Sequence, residues 1–175
     1  AIRTQHNFDP IRDTGYEIIA VSRFTGGQNG RVISSNTRNW LFGHHGGETC
    51  AWYAEGWIVN TDGGGDTDWH MYAGRIEKRG SNGNNPRAWL RKDGVERSTA
   101  NTGSNNDNFA PGQLILGGWR ANNQNSKSEV AELMMIAGTI TQEERLKLEG
   151  YLAHKWGVGV PSSHPWANEK LNYFE

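Results

Sequence analysis

Apolar residues along this chain come in short runs, separated by stretches rich in Gly, Asn and Asp. Runs of that kind, bounded by turn-forming residues, predict β-strands. Tyr16 to Phe24 carries Ile18, Ile19, Ala20 and Val21 in succession, a strand buried on both faces, and the GGQNG after it reads as a turn. Arg31 to Ser35 and Arg38 to Gly43 form the next pair, and Ala51 to Asn60 reads as one long strand. From Thr67 to Glu77 the pattern alternates. Trp69, Met71 and Ala73 fall on one side and Asp68, His70 and Tyr72 on the other, so one face meets the core and the other water. Ala88 to Arg97 is a hairpin turned at Asp93-Gly94, and Gln113 to Trp119 is a further apolar strand.

The period changes near the carboxyl end. Val130, Glu132, Met134 and Ile136 alternate with Ala131, Leu133, Met135 and Ala137, which predicts a strand covered on both faces and central in its sheet. Thr141 with Glu144 three residues on forms a capping box. Leu146, Leu148, Leu152, Ala153 and Trp156 then share one helical face, interrupted by Arg145 and Glu149, and Gly157 with Pro161 ends the run. The spacing predicts a helix over Gln142 to Trp156. Regular short strands and one helix make an all-β, two-sheet antiparallel sandwich over residues 1–175, a single domain with no internal repeat or linker.

This last block, with Glu149, Gly150, Tyr151, Leu152, His154, Lys155, Trp156, Gly157, Pro161, His164 and Pro165, resembles the carboxyl-terminal signature of laminin-G-like, concanavalin-A-like jelly-roll domains of large bacterial surface and secreted proteins. Upstream, RVISS, NWLFGHHG, AEGW, TDWHMYAG, WLRKDGV and QLILGGW are similar to the same family, so the resemblance spans about residues 16 to 166. It implies a jelly-roll fold and an extracellular or cell-surface setting. Family members usually begin with further strands, for which only Ala1 to Pro10 is available here. Two outcomes are expected: that Ala1 to Phe8 folds back as an edge strand, or that a neighbouring chain supplies the pairing.

Composition narrows the chemistry. Eight Trp and 23 Gly suit short strands and tight turns. The 18 basic and 19 acidic residues are spread along the chain without a basic stripe, which argues against nucleic acid as a partner. No apolar run reaches the roughly 20 residues of a bilayer span. Cys50 is the single cysteine, so it makes no intrachain disulfide, and it reads as a small, half-buried hydrophobe.

Glycoside hydrolysis requires two carboxyl groups placed across a cleft. The E-x-D-x-x-E string of jelly-roll glucanases does not occur. Asp66 and Asp68 are the nearest substitute, and both read better as solvated turn acids. Together with Asp62 they are candidate oxygen ligands for calcium, which laminin-G-like domains often hold at a loop rim. Asn105 to Asn108 is a second polar loop of the same kind. His44 and His45 are adjacent, so in extended chain they point to opposite faces and do not share a metal.

A pyranose ring stacks its apolar face on Trp or Tyr while its hydroxyls find amides and carboxylates. Trp52, Tyr53 and Trp57 lie near such loops and are the candidate ligand-binding residues; Trp69, Trp89, Trp119 and Trp156 are assigned to the core. The resulting reading is a non-catalytic carbohydrate-binding or adhesion module of an extracellular bacterial or viral protein, with a polysaccharide or surface glycan as partner. A structural subunit of a surface layer, filament or virion decoration, paired through a sheet edge, is the alternative. A glycan-active enzyme is third.

Overall fold

The computed structural model describes residues 1–60, 64–78, 86–101, 109–120 and 123–169. Among these, eleven strands form two antiparallel sheets. One sheet has the order β1 (Ile2–Asn7), β10 (Gln113–Leu116), β3 (Arg31–Ser35), β4 (Trp40–His45), β5 (Glu48–Ala54) and β6 (Trp57–Val59). The other has β11 (Ser126–Ala137), β2 (Tyr16–Asn29), β7 (His70–Ile76), β8 (Arg87–Lys92) and β9 (Val95–Asn101). A single α-helix, α1 (Gln142–Trp156), follows β11 among the described residues, and a 3-10 turn over Asp9–Asp13 lies between β1 and β2. The all-β jelly-roll sandwich expected from the sequence is what the chain forms.

Between the sheets, Tyr16, Ile18 and Ala20 of β2 and Tyr72 and Ile76 of β7 meet Ile33, Trp40, Phe42 and Trp52 of the facing sheet. Cys50 belongs to the same core and is fully rather than half buried. Gly74 permits a close approach of the layers. A Cβ there would stand 2.6 Å from the Phe42 ring and 2.8 Å from that of Trp52. The Trp40 indole donates to the Tyr16 hydroxyl at 3.2 Å, which donates to the Phe109 carbonyl at 2.7 Å, so these two buried polar tips are paired.

The assignment of tryptophans to the core needs correction. Trp40 and Trp52 are fully buried, whereas Trp69, Trp89, Trp119 and Trp156 are only half buried. Three of the latter lie under guanidinium groups, Trp69 under Arg23, Trp89 under Arg75 and Arg87, and Trp119 under Arg31 and Arg120. Arginine stems and cation–π contacts cover such rings at the surface, so a large aromatic need not lie inside.

Other expectations shift for local reasons. β2 continues through GGQN to Asn29, pairing with β11 across an irregularity where Gly26 and Gly27 take positive φ. The long strand expected over Ala51 to Asn60 is two, because Glu55 takes φ 57° and reverses the chain between β5 and β6. β7 begins at His70, and Tyr72, expected to meet water, is wholly buried. β11 is an edge strand, not a central one. Its two apolar faces are both used, Val130, Leu133 and Met135 toward the inter-sheet core and Ala131 and Met134 toward α1. At the amino terminus the first of the two expected outcomes is found, since β1 folds back to pair antiparallel with β10.

The helix has the predicted bounds and both predicted ends. The Thr141 hydroxyl accepts from the Glu144 backbone N–H, and the Glu144 carboxylate accepts from the Thr141 backbone N–H at 2.8 Å. Gly157 closes α1 in the left-handed conformation. Leu152 and Ala153 pack on Ile19, Val21, Met71 and Ala73, the outward residues of β2 and β7. Arg145 and Glu149, which interrupt the apolar face in sequence, turn inward to oppositely charged partners on the sheet: Arg145 to the buried Glu17 at 3.3 Å and Glu149 to the half-buried Arg91 at 2.7 Å. The tail then crosses the helix. His164 is buried against Glu149, and Gly150 leaves room for Trp166, whose Cβ lies 2.4 Å from where a Gly150 side chain would begin. Because Leu152 has no exposed surface, Leu152→Ala is expected to cost about 2–5 kcal/mol in chemical denaturation. A loss below about 0.5 kcal/mol, the scale of surface substitutions, would mean that the helix is not docked.

Candidate functional site

The six-stranded sheet carries α1 on neither face, and its outer surface holds the candidate aromatics. Cross-strand register sorts the side chains. Ile33, Phe42 and Trp52 are paired neighbours that point inward, so Ser34, Leu41, Tyr53 and Trp57, paired one step along, point outward. Tyr53 and Trp57 flank the tight reversal at Glu55-Gly56 and meet edge to face, with ring centroids 5.2 Å apart. His45 adds a third ring, 5.8 Å from Trp57. Trp57 is 41% exposed on a three-residue edge strand, while Tyr53 and His45 are half buried.

Trp52 does not join them. It is 0% exposed and packs edge to face on Phe42 at 5.2 Å, because neighbouring residues in a strand face opposite ways. The same parity separates the histidines. His44 lies in the core, within 3.3 Å of both the Ser22 and Tyr72 hydroxyls, and burial pushes its pKa down to about 3, so it stays neutral. His45 is outside, held below its ordinary pKa by partial burial and by the Arg31 charge.

Sequence reading missed the continuation of this face. Arg31 pairs with His45 across β3 and β4, and its guanidinium lies 4.2 Å from the Trp119 ring centroid. Its nitrogens donate to the Gln124 side chain, to the Trp40 carbonyl at 3.3 Å and to Asn39 Oδ1 at 2.9 Å. The exposed Arg120, in the left-handed region at φ 51°, brings a second guanidinium to within 4.7 Å of the same ring. Trp119 is anchored by its indole N–H to the Arg38 carbonyl at 3.1 Å. Burial, and then the Arg120 charge, lower the Arg31 pKa to about 10, against an opposing effect of Tyr53. Nothing in the local sequence links GGWR to RVISS; only the fold brings them together.

The acidic candidates behave differently. Asp62 lies outside the described residues, as does the Asn105 to Asn108 loop. The Asp66 carboxylate accepts from the Asp68 backbone N–H at 2.9 Å and contacts His70 Nε2 at 2.9 and 3.1 Å. On its other side His70 Nδ1 lies 2.6 Å from Asp93. Burial favours a neutral His70, but Asp93 and Asp66 outweigh it and raise its pKa. Beside this cluster is a depression of about 390 Å³, lined in part by Asp68, Trp69, His70 and Asp93. Asp66 is therefore committed to its imidazole and its turn, and among the described residues no group of three or more His, Cys, Asp or Glu side chains is arranged to hold a metal ion.

No protein-family model matches the chain, and no curated protein matches it. Solved structures do. A receptor-binding domain superposes with TM-score 0.59 at 13% identity, over 85% of this chain and 38% of that one. The binding domain of botulinum neurotoxin DC in complex with rat synaptotagmin II gives 0.58 at 12% identity, over 80% and 36%. The binding domain of the same toxin in complex with SialylT gives 0.57 at 14%, over 85% and 38%. This chain thus spans less than two-fifths of each neighbour, and the likeness is one of fold.

Proposed function

We propose that this chain is a non-catalytic carbohydrate-binding or adhesion module of an extracellular bacterial or viral protein, and that it holds a polysaccharide or surface glycan on the outer face of its six-stranded sheet. The observation that carries the reading is Trp57, exposed at 41% and braced edge to face by Tyr53 on a rigid sheet. An indole held by its neighbours loses little freedom when a sugar ring stacks on it, so weak association is attainable without a deep cavity. A binding domain of similar fold observed in complex with SialylT lends support by analogy of fold. The alternative, an assembly subunit, required a neighbouring chain to pair the sheet edge left by the short amino terminus; here β1 folds back to pair with β10.

Titration of neutral and acidic oligosaccharides into the protein, with and without calcium, tests the proposal. Binding in the micromolar to millimolar range is expected, lost on Trp57→Ala while the fold survives. Binding that appears only with calcium would bring Asp62, Asp66 and Asp68 back as ligands. Accumulating hydrolysed product would favour the enzyme reading, and no binding of any glycan would overturn the proposal.

A further inference from the structure

On the same outer face, Trp57, Tyr53 and His45 lead through Arg31 to Trp119 and Arg120. Two guanidinium groups flank one indole there, and among the described residues neither forms an ion pair with a carboxylate. That is unlike two of the other arginines near half-buried tryptophans, Arg87 beside Trp89 being likewise without an ion pair among the described residues. Arg23 beside Trp69 pairs with Glu129 at 2.8 Å, and Arg75 beside Trp89 lies 3.7 Å from Glu17. Arg31 costs desolvation and sits against a like charge, yet no anion of the described chain offsets it. Its hydrogen bonds to Asn39, Gln124 and the Trp40 carbonyl go to neutral groups, which fix its position without neutralising it. Arg120, against the same Trp119 ring, is exposed at the surface on a backbone held at positive φ.

We infer that the glycan bound on this face carries a carboxylate, as a uronic or an N-acylneuraminic acid residue, and that Arg120 receives it with Arg31 fixed behind. The inference rests on the glycan-binding reading above and deepens it. A planar guanidinium presents parallel N–H donors that match a carboxylate. The buried charge of Arg31 strengthens the field at that point, because little water lies between it and the site. Trp57 and Tyr53 then offer their rings to an adjoining neutral sugar, so the face reads a negatively charged unit beside an apolar one.

The test uses matched ligands. Sialyllactose is compared with lactose, and oligogalacturonate with its methyl ester, by titration against the wild type, Arg120→Gln and Trp57→Ala, each checked for unchanged thermal unfolding. One acidic ligand is expected to bind at least about tenfold more tightly than its uncharged counterpart, the scale of a charge-assisted hydrogen bond. Arg120→Gln is expected to abolish that preference, and added salt to weaken only the acid. Which pair discriminates identifies the acid as neuraminic or uronic. If acid and uncharged ligands bind equally and Trp57→Ala abolishes both, the carboxylate inference fails and the glycan-binding reading stands. If a preference for acid survives Arg120→Gln, the site is placed wrongly. If no ligand of any kind binds, both are overturned.

Discussion

Glu149→Ala is expected to destabilise the domain by about 3–5 kcal/mol, the scale of breaking a buried ion pair from one side. Glu149 accepts from Arg91 Nε at 2.7 Å and Nη2 at 3.1 Å, and His164 donates to its second oxygen at 3.1 Å. Its side chain is 1% exposed and that of Arg91 only 17%, so truncation leaves a guanidinium with little water to solvate it. It also frees the tail that His164 anchors across α1. Denaturant unfolding measures the loss; a value under about 1 kcal/mol, within reach of an ordinary hydrogen bond, would show that helix and tail do not depend on this cluster.

The same cluster predicts the acid side of the stability profile. Burial raises the pKa of Glu149, but the hydrogen bonds from His164 and Arg91 outweigh it and hold the carboxyl below its usual 4.5. The folded value lies below the unfolded one, so this stabilisation is fully present above about pH 4.5 and is lost as the pH falls through the folded value. Glu17, also beneath α1, has the opposite sign. Burial pushes it up to about 7 against the charges of Arg145 and Arg75. The folded chain there keeps a proton that the unfolded chain releases, so its contribution declines as the pH rises from about 4.5 to about 7. Unfolding followed from below pH 4.5 up to about pH 7 is expected to show a reduced slope on the acid side of about pH 4.5 in Glu149→Gln and a reduced slope between about 4.5 and 7 in Glu17→Gln; unaltered slopes in both variants would refute the assignment.

The elements legible in sequence are those whose signals are local. A capping box and a left-handed glycine fix α1 to the residue, and Asp93-Gly94, both at positive φ, mark the β8–β9 reversal. What escaped depends on groups remote in sequence. An apolar pattern on both faces of β11 cannot distinguish a strand with two sheet neighbours from an edge strand roofed by a helix. Arg145 and Glu149 looked like gaps in a helical stripe, since their partners Glu17 and Arg91 lie on strands far along the chain. The cationic part of the candidate face is illegible for the same reason, Arg31 and Trp119 being joined only by folding.

Trp52 and Trp57 carry the sharpest contrast in expected effect. Five positions apart, they fall on opposite faces by strand alternation alone, so grouping both with Tyr53 in one binding patch runs against parity. The reversal at φ 57° keeps that division, setting Trp57 opposite Tyr53 on the outside and leaving Trp52 opposite Val59 on the inside. Trp52→Ala should therefore cost about 3–5 kcal/mol, removing a fully buried ring from contact with Phe42 and from its close approach to Gly74. Trp57→Ala should leave unfolding within about 1 kcal/mol of the wild type, because much of its ring is already in water. Its effect belongs to binding, where losing a stacked aromatic is expected to weaken glycan affinity by at least about tenfold. Denaturation and titration of both variants decide the matter: a stable Trp52→Ala protein would contradict the packing of the sandwich, and full glycan affinity in Trp57→Ala would move the binding site off this face.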